Sequence, residues 1–410
     1  MTGGLLLLGG NRATVPLVKS YILELGRNWE LCHAEATLYC DEVFADSKQH
    51  MLLANNLKFE NPRDLPRAEE QLFLDRLGGC IRMAEVIGEF GEKAKMIEAI
   101  YAMVKAEQPE GKPKLGVSGY GVGKGFLPNF LSVLKQKFGE LRIENSKGEN
   151  MTSGQAFDRK LLKKGFEFIV WQQGDSFLLG RTRAMQNLRN YTLRDRKKSF
   201  RDAEMGMLPP KLAQQLINFA APSIDQIVVD PFCGSGTISS EAAIMGFETI
   251  GSDMIADRVK GAKENFLFLA EKFRYEPSVG SFLTTDATSF IWGKVQKKCV
   301  MATEGFLGEN FSKQPNKTQV EKQAHEVVQM WDSFWNNLRS GGPRRVACCV
   351  PHWHLPTEDI EILEKFLASA AKVGYTPLAL FDKKTSVLYE RPGAFVAREI
   401  VVLEKKPRKT

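Results

Sequence analysis

The sequence predicts an α/β protein in two parts. Residues 207–410 carry a seven-stranded doubly wound sheet, and residues 1–185 carry an α+β region ahead of it. Three observations predict this. Apolar β-branched runs alternate with amphipathic helical stretches along the chain, the pattern of sheets covered by helices. Residues 228–242, VVDPFCGSGTISSEA, run from a strand through an acid and a short glycine loop into a helix, as at the ligand edge of an open α/β sheet. Between the parts, residues 181–201 (RTRAMQNLRNYTLRDRKKSFR) hold eight Lys/Arg against one acid, and residues 186–206 read as a basic linker.

In the first part, residues 4–9 read as a buried strand and ATVPLVKSYILELG (13–26) as an amphipathic helix. Strands follow at 81–88, 114–120, 141–145, 166–172 and 176–182, with helices at 92–106, 127–138 and 155–164. GYGVGKG (119–125) fits neither a phosphate loop nor a dinucleotide fingerprint and reads as a turn at a strand end. In the second part a helix starts at Pro209–Pro210, where a fixed φ suits a first turn, and aligns Leu212, Leu216 and Phe219 on one face. Seven strands are expected at 226–230, 247–252, 281–285, 298–302, 344–350, 386–390 and 397–404.

The composition bounds the function. With 43% apolar and 26% charged residues the chain is an ordinary soluble protein. Its net charge of +7 suits a polyanionic partner. The apolar run in MTGGLLLLGG is too short to span a bilayer and has no basic residues before it, so neither membrane nor secretion is expected. Seven cysteines with no C-x-x-C pair point to a reducing cytoplasm rather than a disulfide framework or zinc knuckle.

The glycine loop decides the cofactor class. No Lys follows Gly236 as a phosphate loop would need, and Ser239 stands where a dinucleotide fingerprint needs glycine. That leaves a ligand without a pyrophosphate. Asp253 closes the next strand and can accept both hydroxyls of a ribose; Asp286 follows the third and can accept from an adenine amine. Three acids at three successive strand ends imply S-adenosylmethionine. The expected contacts are Asp230, Phe232, Gly234, Gly236, Thr237, Asp253, Asp286 and Ala287. In the basic run, Arg189, Arg194, Arg196, Lys197 and Lys198 are candidates for phosphate contacts, with aromatics among them to stack on bases.

These stretches carry a resemblance. RDAEMGMLPPKLAQQLINFA (201–220), DPFCGSGT and GSDMIADRVKGAKENF (251–266) resemble the THUMP-containing RNA methyltransferases, nearest to those that methylate N2 of guanosine at tRNA position 10. VLYERPGAFVAREIVVLEK (387–405) is similar to that family's final hairpin, and LDRLGGCIRMAEVIGEF (74–90) to its N-terminal RNA-binding module. The resemblance implies a ferredoxin-like/THUMP-type domain that grips tRNA, joined to a Rossmann-like class I methyltransferase. It also implies that RDAEMGMLPP lies by the cofactor's methionine tail, that Asp230 and the loop hold the amino-acid part, and that Asp253 and Asp286 hold ribose and adenine.

In that family the fourth strand ends in D/N-P-P-Y/F, whose oxygens accept the N–H bonds of a target amine while its ring stacks on a flipped base. Here the strand ends in Thr303-Glu304-Gly305-Phe306. Phe306 keeps the ring, Thr303 replaces the first acceptor and Glu304 supplies a carboxylate. Three outcomes are open: an active enzyme with an altered clamp, a different target atom with Glu304 as base, or an RNA binder that has lost catalysis. A DNA or RNA adenine or cytosine amino-methyltransferase is the alternative enzyme. A plainer role for Glu304 is capping the helix expected at about 317–338. His352 and His354 supply only two metal ligands, so PHWH (351–354) reads as a loop and no metal is expected. Cys233 reads as a small loop residue rather than a nucleophile.

Overall fold

The computed structural model describes residues 19–58, 68–107, 112–146, 148–200, 207–223, 225–295, 298–311, 313–339, 341–391 and 393–406. The first part runs β1 (Ser20–Leu25), α1 (Trp29–Thr37), β2 (Asp41–Asp46), β3 (Met51–Asn55), α2 (Glu69–Arg76), β4 (Cys80–Phe90), α3 (Lys93–Ala106), β5 (Lys114–Tyr120), α4 (Phe126–Lys137), β6 (Arg142–Ile143), α5 (Ser153–Asp158), α6 (Leu161–Lys164), β7 (Gly165–Gln173), β8 (Ser176–Met185) and α7 (Leu188–Arg196). Its strands form one mixed sheet in the order β2-β3-β1-β4-β8-β7-β5-β6.

The second part runs α8 (Pro210–Ala220), β9 (Ile227–Asp230), α9 (Thr237–Ile244), β10 (Glu248–Asp253), α10 (Ala256–Phe273), β11 (Gly280–Thr284), β12 (Cys299–Thr303), α11 (Lys317–Asn337), β13 (Arg345–His354), β14 (Asp359–Glu361), α12 (Leu363–Lys372), β15 (Tyr375–Pro377), β16 (Ser386–Tyr389) and β17 (Val396–Lys405). The main path is β11-β10-β9-β12-β13-β17-β15, with β14 on β13 and β16 on β17. β11 through β13 are parallel, and β17 returns antiparallel. The chain order reverses between β9 and β12, which opens a crevice at the carboxyl edge.

Helices cover both faces of this sheet. On one, α11 buries Trp331, Phe334 and Trp335 beside Trp353 and Phe366. On the other, α8 buries Leu212, Leu216 and Phe219 as its spacing predicts. Each such side chain contributes about 1.5–3 kcal/mol of transfer free energy. The opposite flank of α8 faces α1 and α2. Asn218 donates to the Glu35 carboxylate (2.6 Å) and the Arg76 carbonyl (2.9 Å), and accepts from Arg76 Nε (2.9 Å) and the Tyr39 hydroxyl (3.0 Å).

Three expectations are corrected. Residues 20–25 form a strand, not the end of a helix, because Tyr21, Ile22, Leu23 and Leu25 are buried on both faces between β3 and β4. A strand covered on both sides shows no alternation to distinguish it from a helix. The expected linker contains α7, with Tyr191 donating to Gln214 of α8 (2.5 Å). PHWH is the end of β13, not a loop. The strand expected at 4–9 lies outside the described residues.

Candidate active site

The site is built from the carboxyl ends of β9, β10 and β12. β9 ends at Asp230, which is 2% exposed. Its Oδ1 accepts the Thr303 hydroxyl at 2.6 Å and the Phe232 N–H at 3.2 Å. Burial pushes the Asp230 carboxyl up to about 7. The chain then turns through Gly236, whose φ of +76° places it in the left-handed region that glycine adopts without strain. α9 follows directly, with no side chain capping its first-turn N–H groups. Asp253, at the end of β10, is buried. Its Oδ2 accepts the Gly234 N–H at 3.2 Å and its Oδ1 the Ile255 N–H at 3.0 Å. These bonds aim the carboxylate and leave lone pairs for further donors. Asp286 is exposed and caps the turn beginning at Ala287, accepting from the Thr288 N–H and hydroxyl, both at 2.8 Å.

β12 ends at Thr303, and the next residues reverse sharply. Gly305 has φ +73°, and a Cβ there would lie 2.5 Å from Trp331 Cζ2. Glycine is required by conformation and by space. The Gly305 N–H donates to the Thr303 hydroxyl at 3.1 Å. That hydroxyl therefore ties Asp230 to the turn, in addition to the amine-acceptor role expected of it. Phe306 is exposed, as a stacking surface must be. The Glu304 carboxylate accepts Arg398 Nε at 2.5 Å, from near the start of β17. Glu304 does not cap α11: Asn316 does, in a capping box with Gln319.

Some expected contacts point elsewhere. The Phe232 ring packs on Trp331 and Phe334, at 5.5 and 5.6 Å between centroids, so only its backbone serves the loop. The Thr237 hydroxyl accepts from Lys198 Nζ at 2.8 Å. Lys198 is itself buried, which pushes its ammonium down to about 8. Arg194 is buried against Glu241 of α9. Both are therefore unavailable to phosphate, a correction to the sequence reading. They tie α7 and the residues just after it to α9 instead, Arg194 through Glu241 and Lys198 through Thr237. Arg189, Arg196 and Lys197 are exposed. Residues 201–206, expected beside the methionine tail, lie outside the described residues.

Arg398 and the anchoring role of Lys198 were missed from sequence. Arg398 carried a signal: a cation among apolar residues in a strand needs a buried partner.

Residues 194–271 match the RMKL-like methyltransferase domain family. That segment holds the glycine loop, Asp230 and Asp253. This is a methyltransferase domain. The chain is 34% identical over 148 residues to a tRNA (guanine(10)-N2)-dimethyltransferase of Methanothermobacter thermautotrophicus, covering 36% of this chain and 40% of that protein. It is 43% identical over 49 residues to a protein of the same name from Methanocaldococcus jannaschii, covering 12% and 14%. The matched stretches thus span well under two thirds of either relative. The crystal structure of TrmN from Thermus thermophilus shares the fold, with TM-score 0.50 at 17% identity, covering 94% of this chain and all of that one. The resemblance read from the sequence holds, and so does the fold class, a Rossmann-like methyltransferase domain behind an N-terminal α+β region. Its sheet has nine strands among the described residues rather than the expected seven, because β14 and β15, three residues each, are too short to carry an alternating pattern.

The methyltransferase domain's residues fit S-adenosylmethionine, the methyl donor such domains use. A buried carboxylate, a helix N-terminus and a second buried carboxylate at the neighbouring strand end are groups that could hold an amino-acid tail and a ribose.

Proposed function

We propose that this protein is an S-adenosylmethionine-dependent RNA methyltransferase that acts on the exocyclic amine of guanine in tRNA. The observation that carries the reading is the Glu304 carboxylate, held by Arg398 at the end of β12, one residue from the Thr303–Asp230 link. It stands at the carboxyl edge beside the switch point, where a base must enter. The cofactor supplies a methyl group on a sulfonium. Asp230, the glycine loop and Asp253 hold its tail and ribose, and Asp286 with Ala287 the adenine. Phe306 stacks on the flipped base. Glu304 accepts one N–H of the amine and a backbone carbonyl of the turn takes the other, which localises the nitrogen lone pair for in-line attack. Guanine N2 is favoured over adenine or cytosine by the names of the sequence relatives.

Residues 1–185 are proposed to grip tRNA, with Arg189, Arg196 and Lys197 adding phosphate contacts at the junction. Among the described residues no helix is long and apolar enough to cross a membrane, and the seven cysteines are buried free thiols, which supports action in the cytoplasm.

The test is incubation with labelled cofactor and unmodified tRNA, followed by nucleoside analysis. N2-methylated guanosine is the expected product. Label in adenosine or cytidine gives the alternative amino-methyltransferase. Binding of cofactor and tRNA with no transfer, on transcripts from its own host, gives the non-catalytic reading.

A further inference from the structure

β13 continues past the active-site edge. Its partner β12 ends at Thr303, opposite Cys348, while β13 runs on to His354. The overhang is held by β17 and by β14, which folds back through a tight turn closed by Leu355 N–H to Glu358 C=O at 3.0 Å. The register places His352 opposite Glu361 and His354 opposite Asp359. Side chains two apart share a face, and directly opposed residues share it too. One face of this overhang therefore gathers two imidazoles and two carboxylates.

The contacts are close. His352 Nε2 lies 3.1 Å from Asp359 Oδ2, and His354 Nδ1 lies 3.0 Å from Asp359 Oδ1. One ligand atom from each of the three residues can be chosen with all within 4.8 Å of one another. The outer ring nitrogens also face carboxylates: His354 Nε2 lies 3.3 Å from Glu390 Oε1, and His352 Nδ1 lies 3.8 Å from Glu361 Oε1. His352 is 7% exposed, and its Nδ1 has no hydrogen-bond partner among the described residues.

Proton counting makes the arrangement informative. A neutral imidazole has one N–H and one lone pair. Each ring here has a carboxylate at both nitrogens, so a neutral ring that donates inward to Asp359 turns its outer lone pair toward another anion, and either a second proton on the ring or a cation at the centre relieves that. With a cation, the inner lone pairs and Asp359 bind it, and the protons move to the outer nitrogens, which then point at Glu390 and Glu361. That is the carboxylate–histidine–metal pattern of outer partners that fix a ligand's tautomer. Bonds of about 2.0–2.2 Å at tetrahedral angles separate ligand atoms by roughly 3.3–3.5 Å. The two His–Asp359 spacings of 3.1 and 3.0 Å fall a few tenths of an ångström short of this, and the three ligand atoms already lie within 4.8 Å of one another.

We propose that His352, His354 and Asp359 bind a divalent first-row transition ion of the zinc class, with solvent completing the shell. The ion fixes the β13–β14 overhang beside the substrate edge. It takes no part in methyl transfer, and the inference is independent of the proposed reaction. Sequence alone supplied two ligands; the hairpin register supplies the third.

The test uses the full chain, stripped with a chelator and desalted, then titrated with Co²⁺. One equivalent should bind at micromolar concentration and give the intense visible bands of four-coordinate cobalt, without the near-ultraviolet charge transfer of cysteine ligation. Zn²⁺ should displace it and raise the melting temperature. His354→Ala and Asp359→Ala, at side chains 33% and 46% exposed, should fold normally by circular dichroism and lose both effects. Glu390→Gln should weaken binding at least tenfold while keeping the spectrum. Failure of the wild type to bind at tens of micromolar, or full binding by both alanine variants, overturns the proposal.

Discussion

Arg398 Nε donates to Glu304 Oε1 at 2.5 Å, across 94 residues of sequence. Arg398 is 6% exposed, and the Glu304 side chain 18%. The pair fixes the direction of the carboxylate at the strand end. Glu304→Gln keeps an acceptor but loses charge, so it should slow methyl transfer with cofactor affinity unchanged. Glu304→Ala should slow it further and strand Arg398. Stranding a fully buried charge costs about 3–5 kcal/mol, and partial exposure here lowers the expectation to about 2 kcal/mol. Single-turnover rates and urea unfolding separate the two effects. Unchanged rates in both variants would reduce Glu304 to a strand-end tether.

Gly305→Ala tests the turn after β12. The left-handed φ costs about 1 kcal/mol for a residue with a Cβ, and the contact with Trp331 adds about 1–3 kcal/mol of overpacking. Urea unfolding should show a loss of about 2–4 kcal/mol. A neutral result would mean that Trp331 can move aside.

Cofactor binding rests on Asp253 and Asp230. Asp253→Ala should weaken S-adenosylmethionine by about 2 kcal/mol, the scale of charge-assisted bonds to a ribose. Asp230 sits at about 7 from burial. The ammonium of the cofactor's tail favours its charged form, so binding near pH 6.5 should release protons, and affinity should rise with pH up to about 7. Calorimetry in two buffers of different ionisation enthalpy measures this. Absence of cofactor binding by the wild type removes the methyltransferase reading.

The basic run should divide by burial. Neutralising both Arg196 and Lys197, which are exposed, should reduce the salt slope of tRNA binding by roughly two units. Arg194→Gln should instead destabilise the fold by about 3–5 kcal/mol, because it leaves Glu241 buried and unpaired. Filter binding across a salt series and denaturation distinguish the two. An unchanged slope would leave the exposed cations solvated.

Glu35 gives a pH test of the contact between α1 and α8. It is fully buried, accepts from the Gly78 and Gly79 N–H groups and from Asn218, and burial pushes it up to about 7 from 4.5. Its folded pKa is raised, so its contribution is fully present below pH 4.5 and is lost as pH rises through 7. Glu35→Gln should flatten the decline of stability between those values. A decline of unchanged slope would assign it to other groups, Asp230 first.

Local chemistry was legible in the sequence. The glycine loop, the acids closing β9 and β10, and the strand–helix succession from Pro210 onward follow from short-range patterns of apolar spacing and turn residues. Backbone preference acts over a few residues, so a few residues suffice to read it. Tertiary structure decided the rest. It made residues 20–25 a strand by burying both faces. It turned Arg194 and Lys198 inward while Arg196 and Lys197 stayed in solvent, although all four lie within five positions. It also gave Glu304 its Arg398 and the histidine pair its Asp359. A charge run has the same composition whichever side the helix packs. An ion pair between distant strands depends on register, which is set only once the sheet has formed.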